Sequence, residues 1–495
     1  MTSVSSKPRR ILVVGGGPCG LVTLRNLIER GPFDDVVLAE RRDDVGGVWY
    51  VSTALLSSKR SKAGLGAQRT RPFWPTPAYP ALVGNVLSEY LSFSHHPFPE
   101  PKSQIHPYPT LAETHAYLRK FSEMHLASGR IRLSTEVVWV DELPDSRGWS
   151  VTTRDWQAGK NGAEAVETWD AVVVATGWYD FPVWPESTPG LAEARAAGLA
   201  THAQTWYGPG GYEGKRVVVV GNANSSNDIA AQLKAVAAAP VYRSIRRQGL
   251  RRFAFLPDPR VIDVPRIARY ILKPSGKLDL ELHGGTTLID IDAVVLGTGY
   301  SAASAPFVRV LQPQTTSGAR ALAPLTSAQT LPPRIPALYN HILYAPAPTL
   351  AFIGTLMSYT PFTLADVAST WLALVWTRRL ALPAALVDRL AGERARLAHV
   401  AALRAQLAAA AGGRDASSLV AYHVLGPAER AYAQGLKDAI RGVAPEYAAV
   451  LPEWSEADWA RREAMYERKW VSLQAERDAE IAAEARGAAP QLALL

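Results

Sequence analysis

The sequence predicts an α/β fold in which two Rossmann-like domains, one inserted into the other, are followed by a helical C-terminal region. An apolar strand, a glycine-rich turn and an amphipathic helix follow one another at 11–30 and again at 217–230. The second unit lies between two similar segments, WDAVVVATGWY at 169–179 and IDAVVLGTGY at 291–300. Because both carry an Asp, an apolar strand and a small–Thr–Gly turn, we interpret them as two returns to the first domain.

The predicted domain limits follow from this repeat. The first domain takes residues 1–177 and resumes at 299–495, and the inserted domain takes 178–298. From about residue 363 the chain has mostly helical patterning, so the resumed part ends in a helical tail. A chain of 495 residues exceeds the size that one hydrophobic core supports, which agrees with this division.

The composition gives no sign of a nucleic-acid partner. The net charge of +8 is small for this length, and the basic residues are scattered except at 57–71. No recognition motif accompanies that stretch, so we interpret it as a surface loop. A mild basic excess also suits a protein that holds anionic cofactors.

One apolar stretch, residues 348–376, raises the question of a membrane span. Pro361 and Asp366 interrupt this stretch, and we interpret it as buried core. The segment MTSVSSKPRR before the first strand is too polar for a secretory signal. We therefore expect a cytoplasmic protein without a membrane partner.

Cys19 is the one cysteine of the chain. A single thiol can form neither an internal disulfide nor a thiolate metal cage. Cys19 lies inside the first glycine-rich turn, where we interpret it as a small packing residue without a redox role. We find no other metal-ligand pattern in the sequence, so no metal site is expected.

The first glycine-rich turn has the spacing of a pyrophosphate site. Gly15, Gly17 and Gly20 match G-x-G-x-x-G. The first glycine permits the tight turn, the second lets the backbone approach a pyrophosphate, and the third lets the helix pack on the strand. Glu40 ends the next strand, where an acid accepts hydrogen bonds from ribose hydroxyls and repels a 2′-phosphate. The turn is predicted to bind FAD or NAD, and GGVW at 46–49 favours FAD.

The second turn, GNANSS at 221–226, is a variant of the same pattern. Gly221 is kept, Ala223 replaces the second glycine and Ser226 replaces the third. Because only the first glycine is asked for an unusual backbone angle, we expect the geometry to survive. The hydroxyls of Ser225 and Ser226 are predicted to donate to phosphate.

After the strand that follows the second turn, arginines occupy the place that corresponds to Glu40 in the first unit. Arg243, Arg246 and Arg247 are the candidates, and a guanidinium fork matches a 2′-phosphate. The alternative is a solvated strand end. The second turn is therefore predicted to bind NADPH, and the chain to be a flavin-dependent oxidoreductase. A disulfide reductase is excluded, because that class relays electrons through two cysteines.

Seven stretches carry a resemblance to a known family. They are GGGPCG at 15–20, GGVW at 46–49, YPALVGN at 79–85, ATGWY at 175–179, GLATHAQTWYG at 198–208, GKRVVVVGNANSSNDIA at 214–230 and GTGY at 297–300. In this order they resemble the flavin-containing monooxygenase family over nearly the whole chain. The family's linker signature matches at Gly198, His202 and Trp206 and departs at Ala196, where the family has phenylalanine.

The resemblance implies a reaction cycle. The first domain would bind FAD, the inserted domain NADPH, and NADPH would reduce the flavin. Oxygen would add to the reduced flavin as a C4a-hydroperoxide, protected from water. A nucleophilic nitrogen or sulfur of a small-molecule substrate would take the distal oxygen. Residues 354–366 correspond to the loop and helix start that approach the flavin ring, where a helix N-terminus stabilises negative charge.

The resemblance also implies site residues. Asn85 would lie beside the flavin as a catalytic residue, with a turn asparagine as the alternative. His202 is the second catalytic candidate, although a structural hydrogen bond between domains is preferred over proton transfer. The predicted cofactor-binding residues are Gly15, Gly17, Pro18, Gly20, Glu40, Gly47, Val48, Trp49, Val137, Thr176, Gly177, Gly221, Asn222, Ser225, Ser226, Arg243, Arg246, Thr298 and Gly299.

Several alternatives stay open. A Baeyer–Villiger monooxygenase, which inserts oxygen beside a ketone, is favoured by Trp206 but opposed by Tyr207 and by the segment that follows GGVW. An NADPH oxidase and a non-catalytic flavoprotein are further alternatives. The aromatic segment 71–85 either walls the substrate pocket or serves proline-rich packing. A homo-oligomer is one alternative for the oligomeric state, and the identity of the substrate is left open by the sequence.

Overall fold

The computed structural model describes residues 7–52, 72–101, 107–246, 255–301, 305–313, 320–410 and 420–485. The basic stretch 57–71 and Arg247 lie outside the described residues. In chain order the strands are β1 (Arg10–Val14), β2 (Asp35–Ala39), β3 (Ile131–Arg132), β4 (Thr135–Glu142), β5 (Trp149–Asp155), β6 (Ala163–Trp169), β7 (Ala171–Val174), β8 (Ala200–His202), β9 (Val217–Val220), β10 (Val241–Ser244), β11 (Val261–Val264), β12 (Ile267–Leu272), β13 (Leu278–Leu282), β14 (Thr287–Ile291), β15 (Ala293–Leu296), β16 (Val308–Pro313), β17 (Arg320–Pro324), β18 (Leu338–Tyr339), β19 (Leu343–Tyr344) and β20 (Leu350–Phe352).

The helices complete the described secondary structure. They are α1 (Pro18–Arg30), α2 (Leu111–Ala127), α3 (Leu191–Ala196), α4 (Asn224–Leu233), α5 (Pro361–Trp376), α6 (Leu386–Arg389), α7 (Ala391–Ala410), α8 (Ala428–Val443), α9 (Pro445–Val450) and α10 (Glu456–Ala485). Short 3-10 turns lie at Gly47–Trp49, Ser88–Leu91, Pro144–Ser146 and Ala203–Thr205.

The first domain is built on a seven-stranded sheet of order β18-β19-β20-β7-β1-β2-β3. Strands β20, β7, β1, β2 and β3 pair in parallel, and β18 and β19 extend the sheet antiparallel. Ile11 and Val13 of β1 pack on the side of α1 and α5, whereas Leu12 and Val14 pack on the side of Trp149. Burial on both faces explains why these strands are continuous apolar runs.

The side of Trp149 is covered by a five-stranded sheet of order β17-β16-β4-β5-β6, so this domain has three layers. The inserted domain has its own sheet of order β11-β10-β9-β15-β8, and its pairings are parallel. Strand β15 belongs to the segment IDAVVLGTGY, so the prediction that this segment returns to the first domain is wrong: it pairs with β9 and β8 and occupies in the second sheet the place that β7 has in the first. Strands β12, β13 and β14 form a small antiparallel sheet beside it. The predicted fold class is confirmed. The limits at 177/178 and 298/299 fall in the connections between sheets, and we keep them as our proposed division.

The apolar stretch 348–376 is mostly core, as predicted, although Met357 is 52% exposed. Every residue of α5 from Phe362 to Trp376 is buried. The carboxylate of Asp366 accepts hydrogen bonds from Arg25 Nη2 at 3.1 Å, Asn26 Nδ2 at 2.9 Å and the Ser94 backbone N–H at 2.7 Å. These bonds tie α5 to α1. In the part of the chain that is described, no helix combines the length and the apolar character needed to cross a membrane.

The helical tail packs on the first domain and also reaches the inserted one. Leu436 and Ile440 of α8 belong to the core around α5. The carbonyl of Met465 in α10 accepts from the Tyr108 hydroxyl. Further along α10, Lys469 Nζ donates to Gly84 O at 3.1 Å, and Arg477 Nη1 donates to the carbonyl of Pro257 in the inserted domain at 2.7 Å. The last helix therefore contacts both domains.

Candidate cofactor and active site

A cavity of about 460 Å³ lies along the carboxyl ends of β1, β2, β7 and β20. The carboxyl edge of a parallel sheet is where such folds bind ligands, and the volume lies within the range of ligand sites. The predicted residues that line it are Gly15, Gly17, Pro18, Glu40, Gly47, Val48, Trp49, Val137, Thr176 and Gly177. The structure thus brings the first glycine turn, the predicted ribose acid and the ATG segment after β7 to one cavity.

The first turn requires glycine at two of its three pattern positions. Gly15 has a φ of 108°, in the region that favours glycine, and its N–H donates to Ala39 O at 2.9 Å. A Cβ at Gly20 would lie 1.8 Å from the Gly15 carbonyl oxygen. Gly17 has an ordinary extended conformation, with φ −76° and ψ 178°. Gly20 therefore serves helix packing and does not line the cavity, while Gly17 leaves room in front of α1.

Glu40 stands at the end of β2, where the ribose acid was expected. Its carboxylate accepts the Gly16 backbone N–H at 2.6 Å through Oε2 and the Arg42 backbone N–H at 2.8 Å through Oε1. Each oxygen keeps a further lone pair, so both can still accept a ribose hydroxyl. The residues at this end of the cavity fit the adenosine side of FAD.

The opposite end of the cavity is formed by the loop 353–358 and the start of α5 at Pro361. Gly354 has a φ of 87°, and a Cβ placed there would lie 2.7 Å from Cys19 Sγ. Burial raises the pKa of the Cys19 thiol to about 12, so it stays protonated at neutral pH. These contacts support the packing role predicted for Cys19. A helix start at this end suits a ring that gains negative charge.

The second turn has nearly the same backbone angles as the first at the first two positions of the pattern. Gly221 has a φ of 116°, and its N–H donates to Ser244 O at 2.9 Å, as Gly15 donates to Ala39. Ala223 has φ −94° and ψ −178°, close to the angles of Gly17. Alanine at the second position therefore needs no change of backbone conformation, and the variant turn keeps its shape.

Ser226 does not take the predicted phosphate-binding role. The side chain is fully buried, and its hydroxyl lies 3.3 Å from Val220 O and 3.4 Å from Gly297 O. The hydroxyl therefore satisfies the turn itself and faces away from any phosphate in front of α4. Ser225 is exposed in the first turn of α4, and with Asn222 it stays a predicted phosphate contact.

Arg243 is also committed to partners within the protein. Its Nε and Nη2 atoms donate to Asp263 at 2.7 and 2.8 Å, and its Nη1 atom donates to Asn227 Oδ1 at 2.7 Å. The guanidinium lies over the Phe255 ring, 3.9 Å from the centroid. This geometry contradicts the fork that was predicted to face a 2′-phosphate. Arg246, exposed beyond the end of β10, stays the predicted phosphate contact.

His202 belongs to the connection between the domains. Its Nδ1 atom accepts the Gln204 backbone N–H at 3.1 Å, and its ring packs against Trp184 and Tyr300 at centroid distances of 5.5 and 5.3 Å. Burial lowers the pKa of His202 to about 4, so the ring is neutral at pH 7. It does not line the cavity described above. These contacts support the structural interpretation, and proton transfer by His202 stays a prediction.

The remaining predicted residues lie between the domains or beside the cavity. Thr298 donates through its hydroxyl to Val183 O, and the Val183 backbone N–H donates to Gly299 O at 2.9 Å, so both residues join the two connections. Asn85 is half-buried in a bend next to Gly84 and is not among the residues that line the cavity. Its catalytic role stays a prediction.

Some residues that line the cavity were not among the predicted site residues. They include Arg41, Arg42, Trp178, Tyr179, Asp180, His341 and Tyr432. Arg41 and Arg42 directly follow Glu40 and could have been found by that position. Tyr432 comes from α8, more than 250 residues beyond the ATG segment, and only the packing of the tail brings it here. Over the residues described, no group of three or more His, Cys, Asp or Glu could hold a metal ion.

A cavity at one dinucleotide turn, with a second turn of equal geometry in an inserted domain, defines the class of two-domain flavoprotein oxidoreductases. Residues 8–250 match the family model described as flavin-binding monooxygenase-like. Flavin-containing monooxygenase FMO GS-OX1 of Arabidopsis thaliana is 30% identical over 390 residues, which cover 76% of this chain and 75% of that protein. The chain belongs to the flavin-containing monooxygenase family.

Solved structures agree on the fold. S-allyl-L-cysteine S-oxygenase from Allium sativum gives a TM-score of 0.65 at 22% identity, covering 94% of this chain and 99% of that one. Cyclohexanone monooxygenase with bound ε-caprolactone gives a TM-score of 0.56 at 14% identity, covering 88% and 98%. At these identities the likeness concerns the fold alone.

Proposed function

We propose that the protein is an FAD- and NADPH-dependent monooxygenase that forms a C4a-hydroperoxyflavin and oxygenates a nucleophilic nitrogen or sulfur of a small organic substrate. The observation that carries the cofactor assignment is that Glu40 and the loop 353–358 line one and the same cavity. Bound FAD would supply the oxygen chemistry, and the protein would bind, orient and shield it.

The chain's own residues have defined tasks in this proposal. Glu40 accepts hydrogen bonds from the ribose, and the N-terminus of α1 faces the pyrophosphate. The start of α5 at Pro361 stabilises negative charge on the reduced ring. In the inserted domain, the turn at Gly221 and Ser225 holds the NADPH pyrophosphate, and Arg246 contacts the 2′-phosphate.

The charge distribution in the cavity favours heteroatom oxygenation over ketone oxidation. Attack on a ketone needs a deprotonated peroxide held by a cation. Among the described residues that line the cavity, the arginines are Arg41 and Arg42, and both lie directly after Glu40 at the ribose end. At the other end, burial lowers the pKa of His341 to about 4, so its ring is neutral at pH 7. A protonated oxygen donor suits that end.

The relatives support the same class of substrate. The name of the Allium protein states that it oxygenates sulfur in S-allyl-L-cysteine. We extend to this chain only the class, a soft sulfur or nitrogen nucleophile. The second candidate, oxidation of a ketone, has the support of Trp206 and of the fold shared with cyclohexanone monooxygenase.

The test is a two-stage rapid-mixing experiment followed by flavin absorbance. NADPH is mixed with FAD-loaded protein without oxygen, and oxygenated buffer is then added without substrate. We expect fast bleaching and then a long-lived near-ultraviolet flavin adduct, which a sulfide or an amine discharges and a ketone does not. Discharge by the ketone alone would replace the proposal by its rival. A failure to bleach with NADPH would overturn the two-cofactor assignment.

A further inference from the structure

A buried carboxyl group lies directly behind the wall of the cavity. Glu429, in the first turn of α8, is 1% exposed. Its Oε1 atom accepts the Ser358 hydroxyl at 2.6 Å, and its Oε2 atom accepts the Tyr359 backbone N–H at 3.1 Å. Ser358 lines the cavity, as does Tyr432 one turn further along α8. One hydroxyl group therefore separates the carboxyl from the cavity.

Among the residues that the structure describes, no cation contacts this carboxyl directly. Within the described part of the chain, no Lys, Arg or His nitrogen forms an ion pair with Glu429. Arg462 of α10 is the charged group that faces it, and Tyr432 is the titratable neighbour on its own helix. Burial raises the pKa of Glu429 to about 7, against the hydrogen bonds from Ser358 and Tyr359 and the charge of Arg462. Both protonation states are therefore populated near neutral pH.

We propose that Glu429 and Ser358 form a proton relay that delivers a proton to the ring end of the cavity during turnover. The proposal rests on the proposed function. The overall reaction converts NADPH, H⁺, O₂ and a nucleophile into NADP⁺, the oxygenated nucleophile and water, so each cycle consumes one proton. A cavity that excludes water needs an internal source for that proton. Glu429 is a positioning and proton-storing residue, and Ser358 is the group that faces the cavity.

The hydrogen bonds around Ser358 permit both states of the relay. Its Oγ atom accepts the Thr360 backbone N–H at 3.0 Å, which leaves one lone pair and one O–H. With Glu429 ionised, the Ser358 hydroxyl donates to it. With Glu429 protonated, the carboxyl O–H donates to Ser358 Oγ, and the Ser358 hydroxyl turns toward the cavity.

The transfer is balanced in protons and bonds. Ser358 gives its hydroxyl proton to an acceptor in the cavity while the Glu429 O–H bond breaks and its proton moves to Ser358 Oγ. Ser358 ends with one hydrogen, as before, and Glu429 ends as a carboxylate that again accepts from Ser358 and Tyr359. When the product leaves and water enters, a proton returns through the same hydroxyl.

Glu393 of α7 provides a matched comparison. It is also a buried glutamate, 8% exposed, that accepts a backbone N–H, from Ala337 at 3.0 Å. It differs in forming an ion pair with Arg334 at 2.9 Å and in not lining or supporting the cavity wall. Glu393 therefore shares the burial of Glu429 but has a direct cationic partner. Glu393→Gln is therefore the control for Glu429→Gln.

The first test uses the protein without FAD, so that it is independent of the proposed function. Infrared difference spectra are recorded between about pH 5 and pH 9, a range that brackets neutral pH. We expect the carbonyl band of a protonated carboxyl to disappear with a midpoint near pH 7. Glu429→Gln should lack this band, and Glu393→Gln should keep it. A wild-type protein without a band that titrates in this range would overturn the proposal.

The second test asks whether the carboxyl communicates with the cavity. The visible spectrum of bound oxidised FAD is titrated over the same range. We expect a shift with the Glu429 midpoint in the wild type and its loss in both Glu429→Gln and Ser358→Ala. Thr355→Val is the control, because it removes another hydroxyl that lines the cavity, one that donates to His341 O at 3.1 Å. A shift that persists in Ser358→Ala would overturn the relay.

The third test measures the rate of oxygen transfer in variants that lack either group of the relay. Near pH 6, where most of the wild-type Glu429 carries its proton, we expect Ser358→Ala and Glu429→Gln to slow NADPH-supported oxygen transfer roughly 100-fold, within the usual range for a proton donor. Above pH 8 the wild-type carboxyl is ionised as well, so the difference between wild type and variants should shrink. Protein that binds no FAD would refute the proposed function and leave the first test interpretable. Protein that binds FAD and turns over at the wild-type rate without either group would refute the relay alone.

Discussion

The two nucleotide turns of this protein share the backbone angles of their first two pattern positions and differ in how they fill the space beneath the third. In the first turn Gly20 packs under Ala175, whose Cβ lies 3.5 Å from the position of a Cβ at Gly20. In the second turn Ser226 packs under Gly297, and a Cβ at Gly297 would lie 2.1 Å from Ser226 Oγ. In the first turn the larger residue of the pair is Ala175, which lies in the ATG segment. In the second turn the larger residue is Ser226, which lies in the helix. The first turn has a further constraint, because a Cβ at Gly20 would also lie 1.8 Å from the Gly15 carbonyl oxygen. Exchanging Gly20 and Ala175 as a pair is therefore not enough to admit a serine at position 20.

Gly20→Ser should have the largest effect, because it forces the arrangement of the second turn onto the first. The new Cβ would meet the Gly15 carbonyl oxygen at 1.8 Å, and a backbone atom cannot move aside. We expect a loss of about 3 kcal/mol or more in unfolding free energy. Denaturant unfolding and the flavin content of the purified protein measure it. The clash is with the Gly15 carbonyl oxygen, so the double variant Gly20→Ser with Ala175→Gly should not recover FAD binding. Full recovery in the double variant would show that Ala175, and not Gly15, excludes a side chain at position 20.

Gly297→Ala tests the exchange in the second turn. The added methyl would collide with Ser226 Oγ, at a cost of roughly 1–3 kcal/mol in stability. The double variant Ser226→Gly with Gly297→Ala should recover most of this loss, since it recreates the pair of the first turn. A double-mutant cycle by thermal unfolding measures the coupling. Additive losses would show that the two side chains do not share one space.

Arg246→Ala tests the difference between the two ribose sites. Glu40 follows β2 in the first domain, whereas Arg246, and not an acid, follows β10 in the second. We expect NADPH affinity to fall by about tenfold to 100-fold, as for the loss of a charge-assisted hydrogen bond, and NADH affinity to change little. Isothermal titration with both nucleotides measures this difference. Arg243→Ala is the control, and it should lower stability and affect both nucleotides alike because it releases Asp263 and Asn227. Selective loss of NADPH in Arg243→Ala would reverse the assignment.

Ala223→Gly should have the smallest effect. Ala223 already has an extended conformation close to that of Gly17, so glycine brings no new geometry. We expect a change of less than about 1 kcal/mol in stability and less than about threefold in the dissociation constant for NADPH. A tenfold gain in NADPH affinity would show that the alanine methyl obstructs the pyrophosphate.

The turns and the acid at β2 were predictable because their chemistry is local. Gly15 and Gly221 need an unusual φ, and Glu40 follows its strand at a fixed distance, so each leaves a pattern in the sequence. The buried helix α5 was predictable from an apolar stretch with few interruptions. These features depend on neighbours within one strand–turn–helix unit.

The failures concern side chains whose partners lie far along the chain. Arg243 was assigned to a phosphate because its partner Asp263 comes from β11, a strand that the sequence pattern did not align with β10. Ser226 was given a hydroxyl facing outward, since nothing in GNANSS shows that Gly297 leaves a space beneath it. Glu429 belongs to no motif at all. Its position behind Ser358 results from the packing of α8 on α5, which only the fold provides.

The last helix sets a mechanical limit on motion between the domains. α10 contacts Gly84 through Lys469 and Pro257 through Arg477, two residues eight positions apart, which is about 12 Å along the helix. A hinge that opened the cleft between the domains would have to release one of these contacts or bend the helix. Any such opening therefore depends on two hydrogen bonds made by a helix that lies far in sequence from either glycine turn.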